Sequence, residues 1–146
     1  MIRGVARNIA GVARRWLNGH GPIILMYHRV ANIPVDPWGL AVTPSNFEKQ
    51  IEFLVKRRQV VALHDLPEAA RTWRPGRRPV AAVTFDDGYH DVFLNARPAL
   101  HRHKCPATVF ITTGAIDADR EFWWDALGLV LLETSPLPRD LAFKID

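Results

Sequence analysis

The sequence predicts an α/β fold built on a mostly parallel sheet, and three observations carry that prediction. Short apolar runs rich in branched residues alternate with longer stretches of helical period. Turn-forming residues bound most of these runs, as "NGHGP" does at 18–22 and "RPGRRP" at 74–79. One run, "VAAVTF" at 80–85, stops abruptly at Asp86-Asp87-Gly88. Sites in parallel sheets form beyond the carboxyl ends of strands, and this pair stands at such an end.

The elements follow in chain order. Residues 2–17 place Ile2, Val5, Ile9, Val12 and Trp16 on one stripe, with arginines mostly opposite. This basic amphipathic helix, domain segment 1–20, either packs on the body or lies on an anionic membrane surface. "IILMYHRV", 23–30, reads as a buried strand with His28 near its end, and 31–40 as a loop with two prolines. Residues 43–58 read as a helix. Ser45 and Glu48 have capping-box spacing, and Phe47, Ile51, Phe53, Leu54 and Val55 form its apolar face.

"QVVAL" at 59–63 is a second strand, 64–73 a helix, and 80–85 a third strand. Residues 95–104 are helical and 107–112 form a fourth strand. Residues 121–133 are apolar nearly all round, which predicts a largely buried helix. "LAFKI" at 141–145 starts a fifth strand.

Composition bounds the function. The chain has 146 residues, 48% hydrophobic and 23% charged, which suits one domain or part of a larger one. Its net charge of +4 comes from the start: residues 1–35 hold five arginines and no acid, and the rest carries 14 basic and 15 acidic groups. A body so balanced argues against nucleic acid as a partner. The single cysteine, Cys105, excludes an intrachain disulfide and reads as a small buried hydrophobe. No apolar run is long enough to span a bilayer, and arginines interrupt any signal-peptide core, so the expected location is cytoplasmic, with a peripheral inner-membrane contact through residues 1–20.

Two adjacent carboxylates repel, and burial makes the repulsion worse. Water can solvate both, with one aspartate capping the next helix. Alternatively a divalent cation takes one carboxylate and leaves the other as a free base, the parts of a metal-assisted hydrolysis. A glycoside hydrolase fits less well, because its two carboxylates must flank a bond across a gap of about 5–9 Å.

The run Thr84-Phe85-Asp86-Asp87-Gly88-Tyr89 resembles the first motif of the polysaccharide deacetylases, the NodB-homology domain of carbohydrate esterase family 4. "ILMYHRV", "TPSNFEKQIEFL" and "CPATVFITTG" accompany it in family order, and "FWWD" at 122–125 is similar to a subgroup with an insertion there. The resemblance spans roughly 23–130. It implies an incomplete, distorted (β/α) barrel, with 21–146 as the N-terminal part of the domain. It implies a hydrolase that removes acetyl groups from an N-acetylated oligo- or polysaccharide such as a chitooligosaccharide. Asp86 would be the catalytic base and Asp87 a ligand to a divalent metal, zinc in most members.

His28 is either a core or rim histidine or a substrate or site contact. Tyr89 and Trp124 are weaker substrate candidates. Trp123, Trp124 and Asp125 read as packing plus a cap, or as a sugar-stacking wall. The family's His-x-x-x-His pair does not occur: the histidines stand at 20, 28, 64, 90, 101 and 103, and no two are four apart. In family order that pair, the Arg-x-Pro-Tyr segment and the acid histidine all follow Asp146. The expectation is therefore a deacetylase domain truncated before them. The competing expectation is a catalytically silent remnant, or a module that binds sugar or a membrane surface.

Overall fold

A computed structural model describes residues 21–133. The helix expected at 2–17 and the strand expected at 141–145 lie outside the described residues. Within them, β1 (Ile23–Tyr27), β4 (Gln59–Val60), β5 (Val80–Phe85) and β6 (Thr108–Val109) form one sheet in which every pairing is parallel. β2 (Arg29–Val30) and β3 (Ala41–Val42) form a second, two-stranded parallel ladder. The helices are α1 (Pro44–Arg57), α2 (Leu66–Thr72), α3 (Arg97–Arg102) and α4 (Trp123–Gly128). None of the described helices is long and apolar enough to cross a membrane.

The sheet is organised around β5. β1 runs along one edge of it, in register from Ile23–Ala81 to Tyr27–Phe85. β4 takes the start of the other edge and β6 its end. All six residues of β5 are buried, as expected of a central parallel strand with apolar runs on both faces. Ala81, Val83 and Phe85 join Phe47, Ile51 and Leu54 of α1 in the main core, while Val80 and Ala82 pack with Leu66 and Trp73. Phe85 packs against both Tyr27 and Phe47, its ring stacked 5.6 Å from the first and tilted 5.8 Å from the second. Cys105 is buried in the same cluster, as its sequence context predicts.

Several expectations need correction. The strand expected at 23–30 breaks at His28, and Arg29–Val30 leave the main sheet to pair with Ala41–Val42. α1 is capped by Thr43, whose Oγ1 accepts from Asn46 N at 3.3 Å, so Ser45 and Glu48 make no capping box. Pro44 at the first helical position explains the shift, since its missing N–H costs nothing there. Phe53 is 62% exposed, because the buried stripe of α1 is the narrower Phe47, Ile51 and Leu54.

The strands expected at 59–63 and 107–112 shrink to two residues each, Gln59–Val60 and Thr108–Val109. A π-helical turn over Val92–Ala96 leads into α3 and extends that helical stretch upstream. The largest departure is at 121–133. α4 and the π-helical turn Leu129–Glu133 that follows it contain no buried residue, and Trp123 is 69% exposed. An all-round apolar sequence makes burial favourable, but burial needs neighbours, and the described residues cover little of this segment.

Candidate active site

The pair Asp86-Asp87 leaves the sheet at the carboxyl end of β5. Asp86 N–H donates to Tyr27 O at 2.9 Å, so the β1–β5 ladder runs one residue past Phe85. The backbone then turns: Asp87 has φ 68° and Gly88 has φ 77°, and Gly88 N–H closes back on Asp86 O at 2.9 Å. Aspartate tolerates the left-handed region better than most residues, and glycine enters it freely. At Gly88 a side chain would also stand 3.4 Å from Ile111. Asp86 therefore ends the ladder while Asp87 begins the turn. Both are half-buried.

The register carries His28 to the same place. Tyr27 pairs with Phe85, so His28 leaves β1 as Asp86 leaves β5, at one end of the sheet. The strand break at His28 is what lets Arg29 turn toward the helical segment after the aspartates. There Asp91 accepts Arg29 Nε at 2.9 Å on one oxygen and Val30 N–H at 2.8 Å on the other. Asn95 Nδ2 donates to Val30 O at 2.7 Å, so both backbone groups of a buried residue are satisfied from one helical turn.

A second set of contacts joins α4 to this frame. Tyr89 Oη donates to Asp125 Oδ2 at 2.7 Å and accepts from Trp124 Nε1 at 2.8 Å. The Arg29 guanidinium lies 4.5 Å over the Tyr89 ring, with Nη1 4.0 Å from Asp125 Oδ1. Burial alone would lower the Arg29 pKa, but the bond to Asp91 and the charges of Asp91 and Asp125 raise it on balance. Burial, with the adjacent Asp125 carboxylate, pushes the Tyr89 phenol above its usual range, although Trp124 donation pulls the other way. Tyr89 thus stays a neutral phenol whose hydroxyl is engaged as donor and acceptor. Trp124 stacks on Phe122 at 4.6 Å, so part of its ring is covered. Asp125 makes no helix cap; its role is the bond to Tyr89.

A groove of about 730 Å³ opens beside the aspartates, walled by Arg29, Trp38, Asp87, Tyr89, Trp124 and Asp125 among others. Asp86 and His28 are not on its wall. Sequence reasoning missed Arg29 and Asp91 altogether. They are 62 residues apart, and no local pattern joins them.

As for a metal, no group of three or more His, Cys, Asp or Glu side chains gathers among the described residues. Structural and catalytic zinc sites take three or four protein ligands. The donor set present, Asp87 beside Asp86, does not fit a complete site.

The arrangement is that of an α/β protein with paired carboxylates at the end of its central parallel strand. Residues 74–130 match the model of the polysaccharide deacetylase family. Among solved structures, the chain resembles IcaB from Ammonifex degensii at 29% identity and a TM-score of 0.55, over 72% of this chain and 43% of that one. A Streptococcus pyogenes deacetylase, PplD, solved in complex with acetate, is similar at 22% identity and a TM-score of 0.55, over 71% and 49%. A polysaccharide deacetylase from Bacillus cereus is similar at 24% identity and a TM-score of 0.53, over 67% and 31%. The fold is therefore part of the deacetylase (β/α) barrel, and the chain spans less than half the length of these structures. No curated protein sequence is similar enough to count as a relative.

Proposed function

We propose that this chain is the N-terminal part, over residues 21–146, of a metal-dependent hydrolase that removes acetyl groups from an N-acetylated oligo- or polysaccharide. The observation that carries the reading is the placement of Asp86 and Asp87 at the end of buried β5, with the backbone turning at Asp87. In this reading Asp86 is the general base. It takes a proton from the water that attacks the acetamide carbon; the C–N bond then breaks, acetate forms, and the departing amine takes up a proton. His28, which leaves β1 at the same end of the sheet as Asp86, is a candidate substrate contact there. Asp87 is what the described residues offer to a divalent cation, zinc by the resemblance. The groove bordered by Asp87 and Tyr89 takes the glycan.

The incomplete donor set favours a second reading, a catalytically silent module that keeps the glycan-facing surface. Acetate release from acetylated chitooligosaccharides, with zinc supplied, separates the two. A deacetylase gives release that Asp86→Asn lowers by about 10²-fold or more. Equal release from both proteins sinks the role of Asp86, and no release from either, with glycan still bound, supports the silent module. Zinc content after dialysis, compared between wild type and Asp87→Ala, tests the ligand separately.

A further inference from the structure

The loop 31–40 carries more structure than its prolines suggest. Asp36 uses both carboxylate oxygens to accept backbone N–H groups, Leu40 N and Ala41 N, each at 2.9 Å. Gly39 N–H bonds Asp36 O at 3.2 Å, and Gly39 sits at φ 64°, where a glycine is favoured. The turn is then tied to the site, because Arg29 N–H donates to Leu40 O at 3.2 Å and Ala31 N–H to Val42 O at 3.0 Å. Arg29 is the residue held by Asp91, so the loop and the helical turn after Asp86-Asp87 share one frame. What this clamped turn presents is Trp38, 54% exposed, on the wall of the groove that also contains Asp87.

A lone exposed aromatic is ordinary on a protein surface. This one differs in being held. Ordering a loop costs conformational entropy whether or not a ligand is present. A loop already ordered leaves less to lose on binding, which raises affinity for whatever meets its exposed ring. A flat indole in a groove with polar walls suits a ligand with an apolar face and a polar perimeter. A pyranose ring has that form: axial C–H groups on its face, hydroxyl and acetamide groups around its edge.

We propose that Trp38 is a stacking subsite for a hexosamine ring of the glycan, removed from the residue that reacts at Asp86. The inference rests on the deacetylase reading for its ligand class and adds a specificity-determining residue to it. Stacking of this kind is uncharged, so the contribution of Trp38 persists in high salt, whereas an ion pair would fade.

Calorimetric titration of the full chain with the pentamer of N-acetylglucosamine tests it, at low and high salt. Trp38→Ala is expected to weaken binding on the order of tenfold, the size of one well-packed aromatic contact. Trp38→Phe should keep most of the affinity, and Phe53→Ala, exposed but off the groove wall, should match wild type. Asp36→Ala, which releases the turn and leaves the ring intact, should weaken binding less than Trp38→Ala does. Wild-type affinity in Trp38→Ala overturns the subsite and leaves the deacetylase reading standing. A folded wild type that binds no pentamer overturns both.

Discussion

β5 and the segment 121–133 are both apolar runs, and they end in opposite environments. Every residue of β5 is buried, whereas no residue of α4 or of the π-helical turn after it is. β5 has β1 on one edge, β4 and β6 on the other, and two apolar clusters on its faces. The α4 segment is anchored to the described body through polar and aromatic contacts, chiefly Asp125 and Trp124 on Tyr89. The difference teaches that an apolar sequence states a capacity for burial, while the number of neighbours sets how much of it is used.

Substitutions can break or sharpen that contrast. The largest effect is expected from Phe85→Ala. Phe85 is 0% exposed against Tyr27 and Phe47, and emptying that volume should cost about 3–5 kcal/mol in chemical denaturation, enough to threaten folding. Next comes Asp91→Ala, which orphans the Val30 N–H and releases Arg29; a loss of about 1–3 kcal/mol is expected in the same measurement.

A smaller effect should come from pH at Cys105. Burial pushes this thiol up to about 11, from 9.0 when free. Folding therefore favours the neutral thiol. Its contribution is complete below pH 9.0 and is lost as pH rises through about 11. Melting curves between these limits should fall more steeply for wild type than for Cys105→Ala. Iodoacetamide should react slowly with the native protein at neutral pH and quickly after denaturation. The smallest effect belongs to Leu132→Ala in the exposed segment. At 55% exposure little apolar area returns to water, and a change within about 0.5 kcal/mol is expected. A loss like that of Phe85→Ala would mean that this segment is covered in solution.

How far the sequence could be read follows from the range of the interactions involved. The β5 strand, α1 and the location of Asp86-Asp87 were legible because each depends on neighbours a few residues away: a branched apolar run, a helical stripe, a glycine after a strand. The cap of α1 was not legible, because Ser45 and Thr43 both suit the position and the proline that favours Thr43 acts through its missing N–H. The groove was not legible. Arg29 meets Asp91 across 62 positions, and Tyr89 meets Asp125 across 36, with no periodicity to link them.

By itself, then, the sequence determined the alternation of strands and helices and the chemical type of the site residues, since hydrophobic period and turn chemistry act locally. Only the tertiary structure decided that the strand at 23–30 breaks at His28, that Asp91 and Asp125 hold Arg29 and Tyr89, and that among the described residues α4 and the turn after it bury no side chain fully. Those outcomes depend on which surfaces meet once the sheet has formed, and a charge pair or a buried face exists only when distant parts of the chain supply both halves.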